Sequence, residues 1–181
     1  MSKSKGNASI RSRRWRSTRG RHSLVFLYER GALAAQTLSD KGVQEGQRKL
    51  MGTLWNTYAF YVLYANIDAF DATKYALEYD KLSVMDKWIL SKMNSMVKSV
   101  DENLAAYAIP EAARSLQEFV DDLSNWYVRR SRERFWGKDM PQDKINAYMT
   151  LYTALVTTSK AAAPMILSWR RASTKSGAQP G

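Results

Sequence analysis

The chain has 181 residues, of which 45% are hydrophobic, so it is long enough for one globular domain with a sizeable core. It contains no cysteine, which excludes disulfides, Cys-type zinc sites and thiol nucleophiles. There is no run of 18 apolar residues and no secretory signal pattern, so we expect a cytoplasmic protein without a membrane or metal partner.

The formal net charge is +11, which on a single surface would indicate nucleic-acid binding. Residues 40–166 are nevertheless neutral, with 16 basic and 16 acidic side chains. The excess lies in residues 1–7, 8–39 and 167–181. The positive charge is therefore concentrated outside the segment with a folded pattern.

Residues 8–39 contain seven arginines, no lysine and a single acidic residue, Glu29. They have no periodic apolar face, so we do not expect them to join a packed core. An arginine-rich RNA-binding arm is one interpretation of this segment.

Apolar residues recur at three- and four-residue spacing beyond this point, which predicts helices. A first helix is expected over residues 42–66 and a connection over residues 68–82. Ser83 followed by Asp86 predicts the N-terminal cap of a second helix, which extends to about Tyr107.

Pro110 and Glu111 predict the start of a third helix, which ends near Trp136. After a loop over residues 137–143, a fourth helix is expected to continue until Pro164 stops it. Four long amphipathic helices with short links predict an all-α antiparallel bundle. The tryptophan, tyrosine and methionine stripes are interpreted as core.

The third helix ends in the sequence Asn-Trp-Tyr-Val-Arg-Arg-Ser-Arg-Glu-Arg-Phe-Trp, residues 125–136. In a regular helix the core stripe would include Trp126 and then Arg130 and Arg134, whereas Arg129 and Arg132 would point elsewhere. Two interpretations are open at this point.

In the first, Arg130 and Arg134 pair with internal acids, and Glu133 bonds to a helix neighbour at three- or four-residue spacing. In the second, the cluster binds phosphate. For stacking on an unpaired base, Trp136 at the helix end is preferred, because Trp126 is expected to be packed.

Residues 125–136 resemble a segment of the helical anticodon-binding domain of isoleucyl-tRNA synthetases. The resemblance covers residues 40–166, about 70% of the chain. It implies a tRNA partner, and the chemistry of the cluster predicts that this partner is contacted by Arg129, Arg130, Arg132, Arg134 and Trp136. Other short motifs that resemble the family occur in the same order as in the family: Gln-Glu-Gly at 44–46, Gly-Thr-Leu-Trp-Asn-Thr at 52–57, Met-Asp-Lys-Trp at 85–88, Pro-Glu-Ala-Ala-Arg at 110–114 and Ala-Pro-Met-Ile at 163–166.

Residues 1–7, Met-Ser-Lys-Ser-Lys-Gly-Asn, resemble the end of the Lys-Met-Ser-Lys-Ser signature of class I aminoacyl-tRNA synthetases. The motif's first lysine would precede Met1. The resemblance implies that Ser2, Lys3 and Ser4 are a remnant of the loop that closes over ATP. Lys3 would then stabilise negative charge on the phosphates.

Residues 8–39 and 167–181 depart from the family's pattern. Codons written for residues 20–28 give the family-like Ala-Asp-Ala-Ile-Arg-Trp-Tyr-Phe-Tyr when they are shifted by one base. Codons written for residues 32–36 and 167–175 likewise give family-like sequence when they are shifted by one base. We therefore interpret both segments as out-of-frame translation, in preference to an RNA-binding arm.

The residues show no strand–helix alternation, carboxylate pair or glycine-rich phosphate loop, and the single histidine is His22. We expect a monomeric fragment of an isoleucine-tRNA ligase, the enzyme that charges its tRNA with isoleucine using ATP. By this hypothesis the chain keeps the anticodon-recognition domain and is inactive alone, because the nucleotide-binding catalytic domain is missing. The alternative is a free-standing helical RNA-binding module without catalysis.

Overall fold

A computed structural model describes residues 47–137 and 139–165. Within these ranges the chain is helical and contains no strand. The segment interpreted as a remnant of an ATP loop, with Ser2, Lys3 and Ser4, lies outside the described residues. The segments interpreted as out of frame, residues 8–39 and 167–181, lie outside them as well.

The first helix begins with a π-helical stretch, Gln47–Gly52, and continues as α1, Thr53–Ile67. Leu50 and Leu54, which the apolar spacing places inward, are buried, as are Met51 and Thr57, which it does not place there. The predicted connection follows and contains two short 3-10 turns, Ala72–Lys74 and Tyr79–Lys81.

Helix α2 spans Val84–Ala105 and starts where the sequence predicts. The Ser83 hydroxyl accepts a hydrogen bond from the Asp86 amide, while the Asp86 carboxylate accepts one from the Ser83 amide. This reciprocal capping box satisfies two amides that the first helical turn leaves without partners.

The third helical rod contains α3, Ile109–Asp121, a π-helical segment, Asp122–Val128, and α4, Arg129–Trp136. Pro110 lies in its first turn, as predicted. The backbone stays helical through both junctions, with φ near −61° at Asp122 and Arg129. The predicted single helix ending at Trp136 is therefore confirmed, but its middle is wider than an α-helix.

This π-helical segment shifts the buried face. A π-helix bonds residue i to i+5, so each residue advances the rotation by less than in an α-helix. Tyr127, Ser131 and Phe135 are buried in consequence, while Trp126 is 50% exposed and Arg130 is exposed. The prediction that Trp126 and Arg130 lie on the inner stripe was wrong, because it assumed regular α-helical rotation.

Helix α5, Gln142–Ala162, closes the bundle and ends just before Pro164. Helix α2 packs against α3 and α5, and α1 packs against α5 and the π-helical segment. The predicted all-α bundle of four long helices is confirmed. Its core is built mainly from these fully buried side chains: Leu54, Ile89, Leu116, Val120, Leu123, Tyr127, Phe135, Tyr148 and Leu151.

Candidate nucleic-acid interface

The outer face of α4 carries Arg129, Arg132 and Trp136, which follow one another at three- and four-residue spacing. This spacing places them on one side of an α-helix. All three are exposed, and the Trp136 side chain is 59% exposed. We call these three residues together with Arg130 the arginine face. Arg129 and Arg132 point away from the core, as the sequence predicts.

Arg130 lies beside this stripe and stacks on Trp126. Its guanidinium carbon is 4.6 Å from the centre of the Trp126 ring. At that distance the cation is attracted to the negative face of the indole. This attraction also favours one position of the guanidinium group over the ring. The pair presents an arginine and a half-exposed aromatic ring next to Arg129.

Arg134 is different, because its guanidinium turns inward to two carboxylates. Nη1 and Nη2 donate to the two oxygens of Asp86, at 2.8 and 2.9 Å. Nε and Nη2 donate to the Asp143 carboxylate, at 2.7 and 2.8 Å. The side chain of Arg134 is 17% exposed and that of Asp86 is 0% exposed. Of the two interpretations for the inner arginines, pairing with internal acids fits Arg134.

The charges in this network stabilise one another. Burial alone would raise the pKa of Asp86, but hydrogen bonds from Arg134, Tyr127 and Ser83 outweigh it and hold that pKa below its usual value. Burial and the Asp86 charge raise the pKa of Tyr127 well above its usual value. Tyr127 therefore stays a neutral donor, with its hydroxyl 2.6 Å from Asp86.

A second buried ion pair lies at the same end of the bundle. The ammonium of Lys144 is 2.6 Å from the Asp68 carboxylate, and its side chain is 1% exposed. The same ammonium donates to the carbonyl of Gly137 at 2.6 Å, and Tyr148 donates to Asp68. This pair was not predictable from local sequence, because Asp68 and Lys144 lie 76 positions apart in the chain.

Trp136 is held at its edge. Its indole nitrogen donates to the Tyr64 hydroxyl of α1 at 2.9 Å. Within the part of the chain that the structure describes, the Trp136 ring makes no contact with another aromatic ring or with a cation. The indole faces are therefore not used by these neighbours.

The described helices contain no group of three or more His, Cys, Asp or Glu side chains that could hold a metal ion. In residues 47–137 and 139–165, no helix combines the length and apolar character needed to cross a membrane.

Comparison with known proteins agrees with this architecture. Residues 86–166 match the family model described as the anticodon-binding domain of tRNA ligase. The chain is also similar to isoleucine–tRNA ligases: it is 55% identical over 128 residues to that of Clostridium novyi and 52% identical over 128 residues to that of Clostridium tetani. A third relative, from Porphyromonas gingivalis, is 49% identical over 125 residues.

The first two alignments cover 71% of this chain and 12% of the relative. The third covers 68% of this chain and 11% of the relative. The chain thus spans about an eighth of the length of these ligases. Residues 86–166 therefore belong to the anticodon-binding domain family of tRNA ligases, and the chain is similar to isoleucine–tRNA ligases over 71% of its length.

Proposed function

We propose that the bundle recognises the anticodon arm of an isoleucine tRNA, as the tRNA-binding part of an isoleucine–tRNA ligase. The observation that carries this proposal is the arginine face on α4, within a bundle matched by the anticodon-binding family model. The names of the relatives support isoleucine as the amino acid concerned.

In this proposal Arg129, Arg130 and Arg132 contact phosphates. The planar guanidinium fork matches the geometry of phosphate oxygens, and each neutralised phosphate releases counterions. Trp136 supplies the contact to an unpaired base, because anticodon-loop bases can stack on an exposed aromatic ring. Arg134 contributes indirectly by fixing α4, since its donors are engaged by Asp86 and Asp143.

The proposal extends to ATP through the resemblance of residues 1–7. In a complete ligase of the relatives' length, Ser2, Lys3 and Ser4 would belong to the loop that contacts the ATP phosphates. For this chain by itself we expect no isoleucine-dependent pyrophosphate exchange, because activation requires an adenylate pocket that positions the reactants. The cytoplasm, where tRNA is charged, is the compartment consistent with this role.

Competition binding tests the proposed function. The full chain is bound to a labelled isoleucine tRNA transcript and challenged with its anticodon stem-loop, its acceptor minihelix and an anticodon stem-loop whose loop is closed into a duplex. We expect the open anticodon stem-loop to compete best. If the acceptor minihelix competes equally well, the proposal is wrong. Equal competition by unrelated open stem-loops would favour a free-standing RNA-binding module.

A further inference from the structure

The end of α4 is fixed from two sides, although Trp136 itself is exposed. On one side, Tyr64 of α1 accepts the hydrogen bond from the Trp136 indole. On the other, the buried Lys144 ammonium donates to the carbonyl of Gly137, the residue that follows Trp136. Both restraints come from helices other than α4, so the tryptophan is attached to the bundle as a whole.

Tyr64 is itself held by packing. Its ring lies 4.8 Å from that of Phe60 and 6.2 Å from that of Phe135, measured between centroids. Phe135 is buried and makes an edge contact with Tyr148 at 4.8 Å. Because aromatic rings packed in this way have few alternative rotamers, the Tyr64 hydroxyl is a fixed acceptor.

Trp136 is accessible, since its side chain is 59% exposed. The backbone of Gly137 is extended, and a Cβ atom built at this residue would meet nothing within 4 Å outside its two chain neighbours. The indole thus combines a fixed edge with faces that no described ring or cation covers. This is what a planar ligand needs in order to stack without first ordering the protein side chain.

From these contacts we propose that Tyr64 is a positioning residue that fixes Trp136 as a stacking platform for one unpaired base. The ligand class is an unstacked purine or pyrimidine ring of single-stranded RNA. The inference rests on the proposed function, which gives Trp136 the base contact, and deepens it by assigning the orientation of the indole to Tyr64. Stacking on such a ring contributes about 1–3 kcal/mol per base, which corresponds to about 5- to 150-fold in affinity.

A double-mutant cycle on tRNA affinity tests the assignment, using Tyr64→Phe, Trp136→Ala and the double variant of the full chain. We expect Trp136→Ala to weaken binding by about 5- to 150-fold. Tyr64→Phe should weaken it by about 2- to 10-fold, the range expected for losing one neutral hydrogen bond. In the Trp136→Ala background, Tyr64→Phe should have no further effect. Tyr107→Phe is the matched control, because Tyr107 is an exposed tyrosine just after α2 and is not part of the arginine face. It should leave affinity unchanged.

Fluorine NMR supplies a readout that general destabilisation would not reproduce. The six tryptophans are labelled with 5-fluorotryptophan, and the Trp136 signal is identified by its loss in Trp136→Phe. Tyr64→Phe should shift or broaden that signal alone. Adding an anticodon stem-loop should shift it in the parent protein.

The outcomes separate this inference from the proposed function. If Tyr64→Phe leaves both affinity and the Trp136 signal unchanged, Tyr64 is not a positioning residue. If it weakens binding equally without Trp136, it acts by another route and the inference is also wrong. If Trp136→Ala leaves affinity unchanged while Arg132→Ala reduces it, base stacking fails but tRNA binding stands. If the parent chain does not bind the transcript, both proposals fail.

Discussion

Arg134 and Asp86 form a two-bond fork that joins the end of α4 to the start of α2. The distance from Nη1 to Oδ1 is 2.8 Å, and that from Nη2 to Oδ2 is 2.9 Å. The second N–H edge of the guanidinium, formed by Nε and Nη2, donates to Asp143 at the start of α5. One arginine thereby links three helix ends, within the same helix that carries Arg129 and Arg132.

Loss of Arg134 should therefore destabilise the fold. Arg134→Ala leaves the Asp86 carboxylate buried without its cation, which for buried pairs costs about 3–5 kcal/mol in the free energy of unfolding. Arg132→Ala, in the same helix but exposed, should change it by no more than about 0.5 kcal/mol. Urea denaturation followed by circular dichroism measures both. Equal effects of the two substitutions would show that the fork does not hold the bundle together.

The same network predicts a dependence of stability on acid. Because the pKa of Asp86 is lowered in the folded state, the unfolded chain binds a proton more readily than the folded chain as pH falls below the ordinary carboxyl value, near 3.9. The stabilisation is thus complete about one pH unit or more above that value, and it is lost as pH falls through the folded pKa. Asp86→Asn should be less stable at pH 7 by about 3 kcal/mol. The gap between the two proteins should narrow from about pH 5 towards pH 2. A gap that is constant over this range would argue against an ionised Asp86.

Lys144 and Asp68 should also be strongly coupled. Lys144→Met keeps the apolar stem but removes the ammonium from a buried carboxylate, so we expect a loss of about 3–5 kcal/mol. The double variant Lys144→Met with Asp68→Asn should lose clearly less than the sum of the single losses. Lys98→Met is the control, since Lys98 forms an exposed pair with Glu102 and should be nearly neutral. Additive losses at Lys144 and Asp68 would mean that the ion pair is not the stabilising contact.

The changed rotation in the π-helical segment predicts different losses of stability when Phe135 and Trp126 are truncated. Phe135→Ala should cost about 3–5 kcal/mol, because the ring is buried between Phe60 and Tyr148. Trp126→Ala should cost no more than about 1 kcal/mol, because the ring is half exposed and stacks with the guanidinium of Arg130. Thermal unfolding of both variants checks the register. A larger loss of stability for Trp126→Ala than for Phe135→Ala would contradict the shifted buried face and would indicate a regular α-helix with Trp126 in the core.

The helices were predictable because their signals are local. The capping pair Ser83 and Asp86, the first-turn Pro110 and the terminal Pro164 lie close to the helix ends that they mark. The shift in the buried face after Asp122 was not predictable by spacing alone, since a π-helical segment alters the rotation on which that spacing depends.

The outward orientation of Arg129 and Arg132 was predicted correctly from the sequence, whereas that of Arg130 was predicted wrongly. It placed Arg134 inward but could not name its partners, because Asp86 is 48 residues away and had an evident role as a cap. The hydrogen bond between Tyr64 and Trp136 joins residues 72 positions apart, which no helical period relates. The tRNA contacts of the arginine face remain a prediction.

The most direct test of that prediction is the salt dependence of tRNA affinity for the full chain. Arg129→Ala with Arg132→Ala is compared with the parent and with Arg114→Ala, whose exposed arginine pairs with Glu111 on α3. If both arginines contact phosphates, the slope of log affinity against log salt should fall in magnitude by about 1.5, at about 0.7–0.9 per lost phosphate contact. Helicity should be unchanged and Arg114→Ala should match the parent. A double variant with the parent's affinity and slope would show that the outer face of α4 does not bind tRNA.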